Sequence, residues 1–217
     1  MLDLGRPSHV YDSAKLSGTV VARLAKDGET VTALNEKIYA LTSSMTVIAD
    51  DKGVHDIAGI MGGLESGCSE STTDVLLEIA YFTPEKIAVT GQKLGLSSDA
   101  RGRFERGVDP AFLDDATAII TDYILKICGG TASAVKRSGT PPVADKVITY
   151  DPNLSATLGG IAVEPARQRA ILESLGFGVT EGELWQVAVP SWRRDMDAAP
   201  DVVEEVTRIV GFDRTCA

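Results

Sequence analysis

Apolar and polar positions alternate in short runs through the first sixty residues. Residues 19–24 (T-V-V-A-R-L), 31–34 (V-T-A-L), 45–50 (M-T-V-I-A-D) and 55–60 (H-D-I-A-G-I) carry the pattern of strands. The breaks fall at Asp27-Gly28, Asn35-Glu36 and Asp51-Lys52-Gly53, which predicts antiparallel strands joined by turns rather than strand-helix-strand units. Met61-Gly62-Gly63 follows directly, where glycines either let a ligand approach the backbone or serve only a tight turn. Near the start, Pro7 biases Arg6 toward extended geometry, so the next side chains alternate and His9 shares a face with Tyr11. A histidine there is a satisfied structural group or, with its near-neutral pKa, a proton-transfer group. Residues 75–82, V-L-L-E-I-A-Y-F, read as a buried run with Glu78 in its middle. Either alternation turns that carboxylate to solvent, or it needs donors to offset desolvation.

Residues 94–110, L-G-L-S-S-D-A-R-G-R-F-E-R-G-V-D-P, have no hydrophobic period and read as a loop. Its Arg101, Arg103 and Arg106, interleaved with Asp99 and Glu105, either hold a polyanion or tie the loop to itself. Asp109-Pro110 marks a helix start. Over residues 110–128, Phe112, Ala116, Ile119, Ile120, Tyr123, Ile124 and Ile127 recur at helical spacing, predicting a core stripe with Cys128 buried near its end. The run K-R-S-G-T-P-P-V-A-D-K over residues 136–146 is a linker, so two domains are expected, residues 1–140 and 141–217. The second reads as a strand at 147–150, a helix from Glu164-Pro165 to 175, strands at 177–180 and 184–189 around Glu181-Gly182, and a helix at 201–210. The fold class is α+β: an antiparallel-sheet-rich domain packed with one long helix, then a small α+β domain.

Composition narrows the function. At 217 residues and 44% hydrophobic, the chain can bury real cores. A net charge of −10 and a pI near 4.7 argue against general nucleic-acid binding, so no DNA is expected and any RNA contact is local. Cys68, Cys128 and Cys216 are odd in number and widely spaced, which suits reduced cytoplasmic thiols. No run is apolar enough to span a bilayer and no signal peptide opens the chain, so a soluble cytoplasmic protein is expected.

Taken together, G-R-P-S-H-V-Y-D near the start, G-I-M-G-G near residue 60, V-L-L-E-I-A-Y-F, the arginine-rich run, P-S-W-R-R-D-M and E-E-V-T-R-I-V-G-F-D resemble, in order and spacing, the beta subunit of bacterial phenylalanyl-tRNA synthetase. The resemblance implies an internal fragment: an editing domain lacking its N-terminal part, then a winged-helix-like module. It implies hydrolysis of tyrosine mischarged on tRNA(Phe), inside an enzyme that joins phenylalanine to tRNA(Phe) with ATP and pairs two alpha with two beta subunits. No G-x-x-x-x-G-K loop is present, so aminoacylation by this chain alone is not expected.

Residue by residue, the resemblance gives His9 a catalytic place beside the scissile ester and Glu78 the recognition of the tyrosine hydroxyl. Gly59 and Gly62 line the amino-acid pocket, and Ser98 and Ala100 form its rim; the family often has threonine where this chain has Ser98. Asp195, Asp201, Glu204 and Glu205 correspond to a Mg2+ site shared with the alpha subunit. By their spacing, Asp201 and Glu204 equally suit a helix cap, and contiguous Glu204 and Glu205 point about 100° apart on a helix, so the isolated chain is not expected to hold Mg2+ tightly. Without a Ser-His-Asp or Cys-His arrangement, hydrolysis rests on positioning an ester and a water. The competing reading is an inactive structural, tRNA-binding or scaffold fragment, which needs neither His9 nor Glu78 in a pocket.

Overall fold

The computed structural model describes residues 4–214, so Cys216 lies outside the described residues. The chain divides into two compact units, residues 1–108 with 112–139, and residues 109–111 with 140–217.

In the first unit β1 (His9–Asp12), β2 (Val21–Leu24), β3 (Thr30–Thr32), β4 (Ile38–Ala40), β5 (Thr46–Asp50), β6 (Gly53–Ile57), β7 (Met61–Gly62) and β8 (Val75–Glu78) come first. They pair antiparallel throughout, as a sheet in the order β2-β5-β6-β7 and as the pairs β3-β4 and β1-β8. Their inward positions, with Tyr11, Val47 and Ile57 almost fully buried, form the core together with Leu41 just after β4. The short strand β4 has no counterpart in the sequence reading, because its outer residue Ile38 is 71% exposed and leaves no alternating pattern.

Three expectations are corrected here. Residues 94–110 are not a loop throughout: after α1 (Pro84–Leu94), the helix α2 (Asp99–Phe104) forms, with the Ser98 hydroxyl accepting the Arg101 backbone N–H at 3.0 Å. Six residues are too few to display a period. Arg101 ties this segment together, donating to Leu96 O and pairing with Glu105 at 2.9 Å. Residues 75–82 are not buried along their length: Val75 and Leu76 are exposed, since β8 has only β1 beside it, while Phe82 enters the core. The third correction concerns α3 (Leu113–Cys128), which forms after one 3-10 turn at Pro110–Phe112. Its stripe is not core: Ala116 alone is buried, Ile127 is 82% exposed and Cys128 is exposed. Helical period shows where a side chain points, and burial needs a covering element, which the described residues do not supply.

The second unit contains β9 (Lys146–Tyr150), α4 (Leu154–Thr157), α5 (Pro165–Ser174), β10 (Gly178–Thr180), β11 (Trp185–Val189) and α6 (Ala199–Val210). Its antiparallel sheet runs β10-β11-β9. Ile171 and Leu172 of α5 and Val202 and Val206 of α6 pack with Tyr150, Trp185 and Val187 of the sheet. Gln168, 1% exposed, is fully engaged: it accepts from the Tyr150 hydroxyl at 2.5 Å, and its NH2 shares two hydrogens among Pro152 O, Ser155 Oγ and Val163 O. Among the described residues no helix is long and apolar enough to cross a membrane.

Candidate functional site

Strand pairing builds the site. The register of β1 against β8 sets His9 directly opposite Glu78, so both side chains leave the same face of the pair. Buried Arg6 donates to Ala80 O at 2.7 Å, fixing where the two strands begin to run together. Tyr11, two residues after His9, packs its ring against the imidazole at a tilt of 56° with centroids 4.4 Å apart.

Glycines shape the opposite wall. A Cβ on Gly62 would lie 2.3 Å from His9 Cε1, so the imidazole rests where a side chain would be. Gly59 has φ +69°, and a Cβ there would meet Phe82 at 2.8 Å and Ile87 at 3.0 Å. Between these walls opens a small pocket with a wide mouth. His9, Asp56, Gly59, Gly62, Glu78 and Ala100 line it, with the rings of Phe82 and Phe104 packed edge-on at 5.2 Å.

Five residues marked in the sequence, His9, Gly59, Gly62, Glu78 and Ala100, thus meet at one cavity. Ser98 does not line it; its hydroxyl donates to Ile60 O at 2.6 Å and caps α2, so it holds the helix that carries Ala100 against the strand end before Gly62. Two participants escaped the sequence reading. Asp56 of β6 is 4% exposed, accepts the Gly63 N–H at 2.9 Å and lies 3.6 Å from His9 Nε2. The Tyr11 hydroxyl hydrogen-bonds Asp56 Oδ2 and sits 2.6 Å from Glu78 Oε2. The signal for Asp56 was an acid between His55 and the apolar Ile57 in a short strand.

The electrostatics follow from burial. Desolvation pushes the Glu78 carboxyl up to about 7, against the hydrogen bond from Tyr11 and with help from the neighbouring charge of Asp56. Asp56 is also raised by burial, held back by His9 and by the hydrogen bond from Tyr11. Burial and the two flanking carboxylates keep Tyr11 a neutral phenol far above its ordinary range. His9 Nε2 is buried with no hydrogen-bond partner among the described residues, although it borders the pocket.

The four acids of the second unit are engaged differently. Asp201 is the third residue of α6 rather than its cap, and its Oδ2 accepts the backbone N–H groups of Asp197 and Ala198 at 2.6 and 2.8 Å. Arg193 pairs with Asp195 at 2.7 Å and with Glu205 at 2.9 Å, and Arg208 holds the other Glu205 oxygen at 2.5 Å. Glu204 is exposed. Among the described residues no group of three or more His, Cys, Asp or Glu side chains is arranged to hold a metal ion. With Asp195 and Glu205 committed to arginines and Asp201 to backbone donors, the residues present do not fit Mg2+ within this chain.

The family model of the B3/4 domain matches residues 1–129, and that of the tRNA synthetase B5 domain matches residues 148–212. The phenylalanine-tRNA ligase beta subunit of Novosphingobium aromaticivorans is 63% identical over 213 residues, 98% of this chain and 26% of the relative. That of Zymomonas mobilis is 52% identical over 98% of this chain and 27% of the relative. The chain therefore spans about a quarter of the length of these curated relatives. An N-terminal fragment of the phenylalanyl-tRNA synthetase beta subunit from Pyrococcus horikoshii, a solved structure, is 13% identical, with a TM-score of 0.48 over 92% of this chain and 58% of that one. The chain belongs to the phenylalanyl-tRNA synthetase beta-subunit family, of which it carries a B3/4 and a B5 domain.

Proposed function

We propose that the first unit is an editing site that hydrolyses tyrosine wrongly esterified to tRNA(Phe), within a cytoplasmic phenylalanyl-tRNA synthetase. The observation that carries this reading is the pocket bordered by His9 and Glu78, opposed on paired strands. A pocket made for phenylalanine rejects an added hydroxyl only weakly, whereas a second site built to hydrogen-bond that hydroxyl rejects phenylalanine strongly. Glu78 is the acceptor such a site needs, and phenylalanine leaves it unpaired. The imidazole of His9 borders the pocket, where it orients a water or the terminal ribose at the ester.

Hydrolysis proceeds by positioning, without an acyl-enzyme. Ser8 borders the pocket, but among the described residues no base hydrogen-bonds its hydroxyl, and exposed Cys68 lies against Val10 O instead of the pocket. Trapping of a covalent aminoacyl-enzyme overturns this step. The alpha subunit, and the ATP and Mg2+ of aminoacylation, belong to the proposal for the whole enzyme, and no step here runs through them.

The test is deacylation of tyrosyl-tRNA(Phe) and phenylalanyl-tRNA(Phe) by the chain beside its His9→Ala and Glu78→Ala forms. His9→Ala is expected to slow tyrosine release by about 100-fold or more. Glu78→Ala is expected to bring the tyrosine/phenylalanine ratio down toward one. A folded wild type that releases no tyrosine favours the inactive scaffold reading instead.

A further inference from the structure

Tyr11 is fully buried, with its hydroxyl between Asp56 Oδ2 and Glu78 Oε2. A phenol carries one hydrogen, so it donates to one of these oxygens, and the other contact requires a proton on the carboxyl itself. Two bare carboxylates around one hydroxyl would leave an oxygen pair repelling at hydrogen-bond distance. The surroundings decide which acid is neutral. Asp56 accepts the Gly63 N–H on Oδ1 and faces His9 Nε2 at 3.6 Å, both of which favour its anion. Among the described residues Glu78 draws no such backbone donor, and it shares the pocket lining with Phe82 and Phe104.

We propose that Tyr11 and Asp56 are positioning residues of the pocket: Asp56 takes the Tyr11 hydrogen, Tyr11 takes the hydrogen of a neutral Glu78 carboxyl, and Glu78 Oε1 is left as the acceptor for a ligand hydroxyl. This deepens the editing reading and rests on it for the identity of the ligand, a phenol-bearing aminoacyl ester. The network solves a problem that Glu78 alone does not. A charged Glu78 would be uncompensated whenever phenylalanine or no ligand filled the pocket, whereas a neutral, tethered carboxyl remains a directional acceptor at small cost. The ionisable groups facing the network are His9, Tyr11, Asp56 and Glu78, with His55 at the far edge of the Tyr11 ring, 6.3 Å away and paired with Asp50 at 2.8 Å.

The experiment follows the Glu78 side-chain carboxyl by carbon-13 NMR in the chain and its Asp56→Asn, Tyr11→Phe and doubly substituted forms, with circular dichroism confirming each fold. Asp56→Asn removes the neighbouring charge and frees the Tyr11 hydrogen for an ionised Glu78, so the Glu78 midpoint falls by about one pH unit or more. With Tyr11→Phe already present, the same change moves it about half as much or less, because the linking hydroxyl is gone. Tyr11→Phe is also expected to lower the tyrosine/phenylalanine deacylation ratio about tenfold, the equivalent of one hydrogen bond. A Glu78 midpoint insensitive to Asp56, or an equal shift in both backgrounds, overturns the network even if the chain edits. If wild type releases no tyrosine, the editing reading falls while the titration still decides the network.

Discussion

His9 occupies the space that a side chain on Gly62 would fill, and two predictions start from that pocket. Gly62→Ala puts a methyl 2.3 Å from the imidazole, so the ring must move by about an ångström. Deacylation is expected to fall about 100-fold while the urea midpoint changes little, because the ring borders an open pocket; a kinetically silent Gly62→Ala rules out that placement of His9. The second concerns pH. Glu78 ionises near 7 in the folded chain against an ordinary 4.5, so the native state holds its proton more tightly than the unfolded state. Its contribution is complete below 4.5 and is lost as pH rises through 7, by about 2 kcal/mol once water at the pocket mouth is allowed for. Chemical denaturation at pH 5 and pH 8 is expected to show this fall in wild type and a smaller one in Glu78→Gln; equal slopes sink the assignment. Glu78 was legible as an odd residue in an apolar run, and His9 only through the family resemblance. Their link through Tyr11 and Asp56 was not, since Tyr11 lies 45 positions from Asp56 and 67 from Glu78, and only the strand register joins them.

Elements with a long or strict period were legible, and those defined by a few contacts were not. The hairpin strands β5 and β6 and the helices α5 and α6 stand near their expected positions because alternation, Pro165 and Gly176 mark them. The helix α2 depends on one cap from Ser98 and one buried ring, Phe104, which leave no pattern in six residues. At the start of α6 the sequence offered Asp201 as the cap, whereas it reaches back from the third position to two backbone donors. Asp201→Ala leaves both unpaired and is expected to destabilise the second unit by about 1 kcal/mol, read as a lower urea midpoint. Those same bonds hold the Asp201 carboxyl below its ordinary range, so its contribution is present above that range and is lost as acid protonates it. With Asp201 and Glu205 engaged inside the fold, calorimetry with Mg2+ alone is expected to show no micromolar binding; a micromolar isotherm contradicts the arrangement.

At the scale of the whole chain, two hydrophobic cores share no residue: one gathers around Tyr11, Val47 and Ile57, the other around Tyr150, Leu172 and Val206. The proline-containing linker marked this division in the sequence, although nothing there showed that residues 109–111 group with the second unit. Each core excludes water for its own elements, so each unit is expected to unfold as its own cooperative block. The two tryptophans, Trp185 and Trp192, both lie in the second unit, so their fluorescence reports it alone, whereas far-UV circular dichroism reports both. Gly59→Ala burdens only the first unit, forcing a side chain onto φ +69° and into Phe82 and Ile87, at about 2–4 kcal/mol. In urea, Gly59→Ala is therefore expected to shift part of the dichroism transition to lower concentration while the tryptophan midpoint stays at its wild-type value. A tryptophan midpoint that falls together with the dichroism means the two cores melt as one, and a substitution beside the pocket would then reach the second unit as well.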